Sequence, residues 1–211
     1  MVKNLFPTLI YSHQLWKKNS KNQTQLKELL SEVKSIQRTD DKGQNWSEKN
    51  YFGGYTSYGS MDRLDRFSTT FFNLEKEIQK HVYAYAQQLH WDCQKQDLVL
   101  NSMWVNVMPQ GTHHSFHIHP LSVISGTFYV NSPKGSSPLQ FEDPRMSKMM
   151  ACPPRSKKAP DSQLWHYSHQ PQAGEVVLFE SWLRHQVPAQ KIASERVSIS
   201  FNYSWHNPHF K

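Results

Sequence analysis

The chain has 211 residues, a formal net charge of +7, 37% hydrophobic residues and twelve histidines. That length suits one domain with a substantial buried core, and no apolar run approaches the roughly 18 residues that a membrane span needs. The opening residues, MVKNLFPTLIYSHQLWKKN, carry neither a continuous apolar stretch nor a small-residue cleavage site, so no signal peptide is expected. Cys93 and Cys152 stand far apart and form no CxxC, which argues against a disulfide framework and for a reducing, cytoplasmic setting.

In chain order, residues 5–15 read as an extended strand or arm. Leu26, Leu29, Leu30, Val33 and Ile36 recur at helical spacing and predict an amphipathic helix over 23–37, capped at Asn19 or Ser20. The stretch 40–62, polar and rich in glycine and aromatics (NYFGGYTSYGS), reads as a long ordered loop. A second helix is expected over 69–90, burying Phe72, Leu74, Ile78, Val82, Ala86 and Leu89. From Asp97 the texture changes to short β segments: LVLNSMWVNVMP, VISGTFYVN, SPLQFED, GEVVLFE and RVSISFNYSW, separated by turn signals such as Pro109-Gln110-Gly111 and Gln172-Ala173-Gly174. Strands so spaced imply a sandwich or barrel. Residues 1–95 are then helical support and 97–211 the β core, in a single domain without repeats or linkers.

One surface feature breaks the charge balance. Residues 144–160, PRMSKMMACPPRSKKAP, hold five basic side chains and no acidic one. Such a strip can meet an anion, but it lacks the interleaved aromatics of a nucleic-acid groove. It reads as a solvated loop, and no nucleic-acid partner is expected.

The densest chemical signal is HHSFHIHP, residues 113–120. His117 and His119 are two apart, so on a strand they share a face and can meet one metal ion. His185 follows the strand GEVVLFE and adds a third imidazole, whereas His113 and His114 are assigned to the turn before the strand. Eleven residues beyond His185, strand alternation in ERVSISFN sets Arg196, Ser198, Ser200 and Asn202 against Val197, Ile199 and Phe201. An arginine on a buried strand face is costly unless an anion meets it, and its planar fork suits a carboxylate. Thr127 and Tyr129 share a face of SGTFYVN and can add hydroxyl donors. The alternative for Arg196 is a structural ion pair with Glu195 or Asp143.

Taken together, HIHPLSVISGTFYV, LQFEDPR, GEVVLFESWLRHQVP and ERVSISFN resemble the 2-oxoglutarate–Fe(II) oxygenases of bacteria and phages, relatives of the prolyl-4-hydroxylase branch. The opening LFPTLIYSHQL is similar too, so the resemblance spans most of the chain. It implies a double-stranded β-helix (jelly-roll, cupin-like) core braced by N-terminal helices. It also implies Fe(II), 2-oxoglutarate and O2, with succinate and CO2 released as an amino-acid or peptidyl side chain or a small metabolite is hydroxylated.

Residue by residue, His117 and His185 match the family's metal histidines. Arg196 matches the residue gripping the far carboxylate of 2-oxoglutarate, Ser198 its companion, and Tyr129 a donor to the same carboxylate. Trp104 and Asn106 are expected to line the pocket. The departure is His119, where the family pattern has Asp or Glu. Either three histidines form the site, which the spacing favours, or Asp143 completes it. The rival readings are a non-catalytic, metal-stabilised cupin-like binding protein and a zinc hydrolase, and neither gives Arg196 and Ser198 a task. The loop 53–59 and the basic segment are expected to border the entrance.

Overall fold

The period-two alternation becomes two antiparallel sheets in the computed structural model, which describes residues 1–17 and 20–206. In spatial order the larger sheet is β1 (Ile10–Gln14), β8 (Glu175–Glu180), β5 (Ile124–Asn131), β10 (Arg196–Trp205), β3 (Leu98–Met108) and β2 (Tyr55–Thr56). The smaller is β4 (His114–His117), β9 (His185–Val187), β6 (Leu139–Glu142) and β7 (His166–His169). From β3 onward the chain passes back and forth between the two sheets, the winding of a double-stranded β-helix.

Each long strand divides its side chains between two cores. Outward, Met103, Val105 and Val107 of β3, Phe128 of β5, Val176 and Leu178 of β8, and Val197, Ile199 and Phe201 of β10 pack under the helices. The helices are α1 (Ser20–Thr39), which buries Leu29, Val33 and Ile36, and α3 (Thr69–Gln88), which buries Phe71, Leu74, Ile78, Val82 and Tyr85. Inward, Tyr129, Val177 and Phe179 meet Leu139, Phe141, Leu183 and Val187 of the smaller sheet and its approach. At Gly126 a Cβ would fall 2.6 Å from Leu178 and Phe201, so the outer core closes over β5 only because that residue has none.

The first hundred residues do more than support the sheet from outside. β1 pairs with β8 at one edge, shorter than the expected 5–15 arm, and β2 pairs with β3 at the other. The expected loop 40–62 is instead α2 (Asp41–Asn50) followed by β2. Asp40 caps α2 by accepting from the Gly43 N–H at 3.0 Å, and its other oxygen takes the Tyr55 and Ser60 hydroxyls at 2.8 and 2.6 Å. No apolar stripe betrays this helix, because it buries only Gly43 and Ser47. In α3 the buried aromatic is Phe71, not Phe72, which is 47% exposed. That helix ends at Gln88 rather than 90, since His90 turns to a φ of 56°. The expected cap Asn19 lies outside the described residues.

Candidate metal centre and anion pocket

His117 and His185 lie directly opposite each other in the antiparallel pair of β4 and β9. Their ring centroids are 4.3 Å apart. In each, a carbonyl orients the ring: Nδ1 of His117 is 2.7 Å from the Ser115 oxygen, and Nδ1 of His185 is 2.8 Å from that of Leu183. A carbonyl can only accept, so Nδ1 carries the proton in both and Nε2 is left as a free lone pair.

His119 reaches the same point by another route than the one expected. β4 ends at His117, and His119 belongs to the following turn, where its N–H donates to the Ser181 carbonyl at 3.0 Å. Its ring stacks on His185, with the two Nε2 atoms 3.3 Å apart. Among the described residues these three imidazoles form a group able to hold a metal, one nitrogen from each lying within 4.8 Å of the others. Burial pushes His119 down to about 4, and it also lowers His117 and His185, so all three are neutral imidazoles at physiological pH. Neutral nitrogens with bonded outer rings fit a divalent transition metal.

Asp143 is not in the group. Both its oxygens are taken by Arg145, through Nε at 2.9 Å and Nη2 at 2.8 Å, and the guanidinium holds its carboxyl below the usual range.

The histidines line a narrow cavity between the sheets, with about 450 Å³ of empty space including its mouth. Arg196 and Ser198 line the same cavity, as do Trp104, Asn106, Thr127 and Ser200. Arg196 is 2% exposed. Its Nη1 reaches only Met108 Sδ at 3.2 Å and Ser198 Oγ at 3.4 Å, its Nε has no partner, and the guanidinium lies 5.0 Å from the Tyr129 ring centroid. The anticipated ion pairs do not form: Glu195 binds Lys34, and Asp143 binds Arg145. The Tyr129 hydroxyl is likewise buried without a partner. Asn106 donates to Ser200 at 3.0 Å while its oxygen stays unpartnered, and Trp104 lies 5.9 Å from the His119 ring.

Residues 102–202 match the model of a family described as "Putative 2OG-Fe(II) oxygenase". That match takes in most of the β core. The donor set in the cavity fits the metal and 2-oxoglutarate of that family. Solved structures of the class share its fold. HygX from Streptomyces hygroscopicus, solved with nickel and 2-oxoglutarate, is 12% identical over 94% of this chain and 83% of its own, with a TM-score of 0.63. A Pseudomonas putida prolyl-4-hydroxylase is 12% identical over 95% and 94%, with a TM-score of 0.53. The chain spans about half (49%) of the length of a 2OG-Fe(II) oxygenase-family oxidoreductase from Burkholderia pseudomallei, at 16% identity and a TM-score of 0.42. No curated protein matches the chain.

Two cavity residues lay outside the expected set. His114 is the first residue of β4 rather than part of the preceding turn, and burial among His117, Arg196 and His119 pushes it down to about 3. Tyr51, just past the end of α2, enters from the stretch expected to be a loop. Its only trace in the sequence is an aromatic placed before the glycine pair Gly53-Gly54.

Proposed function

We propose that His117, His119 and His185 hold Fe(II), that Arg196 with Ser198 and Tyr129 anchors the distal carboxylate of 2-oxoglutarate, and that the reaction is hydroxylation of an amino-acid or peptidyl side chain or of a small metabolite. One observation carries this reading. A buried guanidinium with no carboxylate partner shares a cavity with three neutral imidazoles. An unpaired buried cation costs several kcal/mol. A keto acid long enough to chelate a metal at one end and meet Arg196 with a carboxylate at the other supplies what both lack.

When bound, the metal and 2-oxoglutarate supply the oxidising chemistry, with O2 as oxidant and succinate and CO2 as products. This chain's residues do the positioning. The carbonyls of Ser115 and Leu183 keep Nε2 of His117 and His185 unprotonated and aimed inward. Met108, Leu139 and Val187 give the cavity its apolar lining, and Met108 Sδ lies 3.2 Å from the guanidinium. Asn106, fixed by Ser200, offers its free oxygen to the cavity wall.

The prolyl-4-hydroxylase among the similar structures supports a peptidyl substrate, and HygX supports an oxygenase of this shape. No Asp or Glu lines the cavity, so a zinc hydrolase would lack a carboxylate base there, and a simple binding barrel would leave Arg196 without a task. Within the stretch 53–59, Tyr58 packs its ring 5.0 Å from that of Trp104, a cavity residue. Within the basic segment Arg145 is engaged by Asp143 and Arg155 lies over Trp165. The free thiols of Cys93 and Cys152 suit a cytoplasmic enzyme, and no helix among the described residues is long and apolar enough to cross a membrane. The test is turnover: protein supplied with Fe(II), ascorbate, O2 and 2-oxoglutarate produces succinate above a metal-free control. The absence of both succinate formation and 2-oxoglutarate binding contradicts the assignment.

A further inference from the structure

Five tyrosines are buried in this protein's described residues: Tyr51, Tyr55, Tyr85, Tyr129 and Tyr203. Three have partnered hydroxyls. Tyr55 donates to Asp40 at 2.8 Å, Tyr85 to the Leu9 carbonyl at 2.7 Å, and Tyr203 to Glu75 at 3.1 Å. The two without a partner, Tyr51 and Tyr129, both line or flank the Arg196 end of the cavity. A buried hydroxyl with no partner costs about 1–3 kcal/mol relative to a bonded one. Phenylalanine would fill the same space without that cost, so packing does not explain the oxygen of Tyr51.

The backbone around Tyr51 is built to place this ring. Its N–H donates to Ser47 at the end of α2, and its carbonyl accepts from Gly54. A Cβ on Gly54 would fall 2.8 Å from the Tyr51 ring and 2.7 Å from Thr112, so the turn admits the ring only as glycine. The ring lies edge-on to His114, with centroids 4.6 Å apart, and packs in one cluster with Met108 and Tyr129. Tyr51 is 4% exposed, and the positive charge of Arg196 acts on its phenol.

We infer that Tyr51, delivered by α2 from outside the 102–202 core, is a third donor to the anion held by Arg196, so that two phenols and one guanidinium grip the distal carboxylate of 2-oxoglutarate. This rests on the cosubstrate reading above and extends it to a residue that no strand motif marks. The cosubstrate then also ties α2 and its turn to the barrel, because its carboxylate bridges the two.

The test is Tyr51→Phe in the full-length chain loaded with Ni(II), titrated with 2-oxoglutarate by calorimetry. Loss of a hydrogen bond to a buried charge predicts roughly ten- to a hundred-fold weaker binding. Ni(II) affinity should match the wild type and the melting temperature should be no lower, because the ring remains and no partnered hydroxyl is lost. Tyr129→Phe should behave alike. Equal 2-oxoglutarate affinity in Tyr51→Phe and wild type overturns the inference. So does a loss matched by a fall in Ni(II) affinity and melting temperature, which marks a structural role. If the wild type itself fails to bind 2-oxoglutarate, the cosubstrate reading falls first, a result distinct from either.

Discussion

At the Asn202 end of β10 the inward polar groups close on one another, whereas at the Arg196 end they do not. Asn202 accepts from Ser125 at 2.7 Å and donates to Ser102 at 3.1 Å, and Ser125 also meets Ser181 at 2.8 Å. Six residues earlier, about 20 Å along the same face, Arg196 Nε and the hydroxyls of Tyr129 and Tyr51 have no partner. Both clusters are buried, on one strand, under the same outer core. A closed network ties neighbouring strands of the larger sheet together, and an open one marks where a ligand completes the protein.

The comparison breaks most sharply at the metal. His119→Ala should lose Ni(II) or Fe(II) as severely as His117→Ala or His185→Ala, beyond the roughly 10- to 100-fold typical of disturbing an outer partner. Asp143→Ala should keep the metal, since Arg145 already occupies that carboxylate. Metal titration of the four variants decides it, and an empty site in Asp143→Ala with a filled one in His119→Ala would reverse the assignment.

Next in size is the open cluster itself. Arg196→Met should weaken 2-oxoglutarate by about 2–4 kcal/mol, the usual cost of stripping one partner from a desolvated charge pair. The ligand-free protein should melt no lower than wild type, because an unpaired buried cation has been removed. Asn202→Ala should do the opposite. It removes the bonds to Ser102 and Ser125, lowers stability by about 1–3 kcal/mol, and leaves 2-oxoglutarate affinity per folded molecule unchanged. Thermal melts beside calorimetry separate the two. If both variants lose stability and neither loses ligand, the two clusters are alike and the distinction fails.

Much of this was legible in the sequence because strand alternation is strict where both faces are buried. Arg196, Ser198 and Ser200 fall on the cavity side and Val197, Ile199 and Phe201 on the other, as the pattern predicts. The expected strands from residue 98 onward appear at their places, while the short polar strand β7, HYSH, gave no apolar signal. What escaped was structure held by polar capping. α2 is specified by Asp40 and two buried small residues, so hydrophobic periodicity had nothing to register, and Tyr51 was hidden with it. The one-residue error at Phe72 came from an ambiguous aromatic pair, which the steps of three, four and four from Phe71 to Leu74, Ile78 and Val82 resolve in favour of Phe71. His119 lies beside His117 and His185 although the strand stops before it, through a turn that the spacing argument did not foresee.

The central claim is that the imidazole trio and Arg196 form one site completed by one dianion. The most direct measurement is the affinity of the full-length protein for 2-oxoglutarate, by calorimetry under anaerobic conditions, with and without Fe(II). A chelate that spans both ends predicts tight binding with the metal, at least about tenfold weaker binding without it, and weak binding again in Arg196→Met with the metal present. Binding that is indifferent to the metal, or to Arg196, would contradict it.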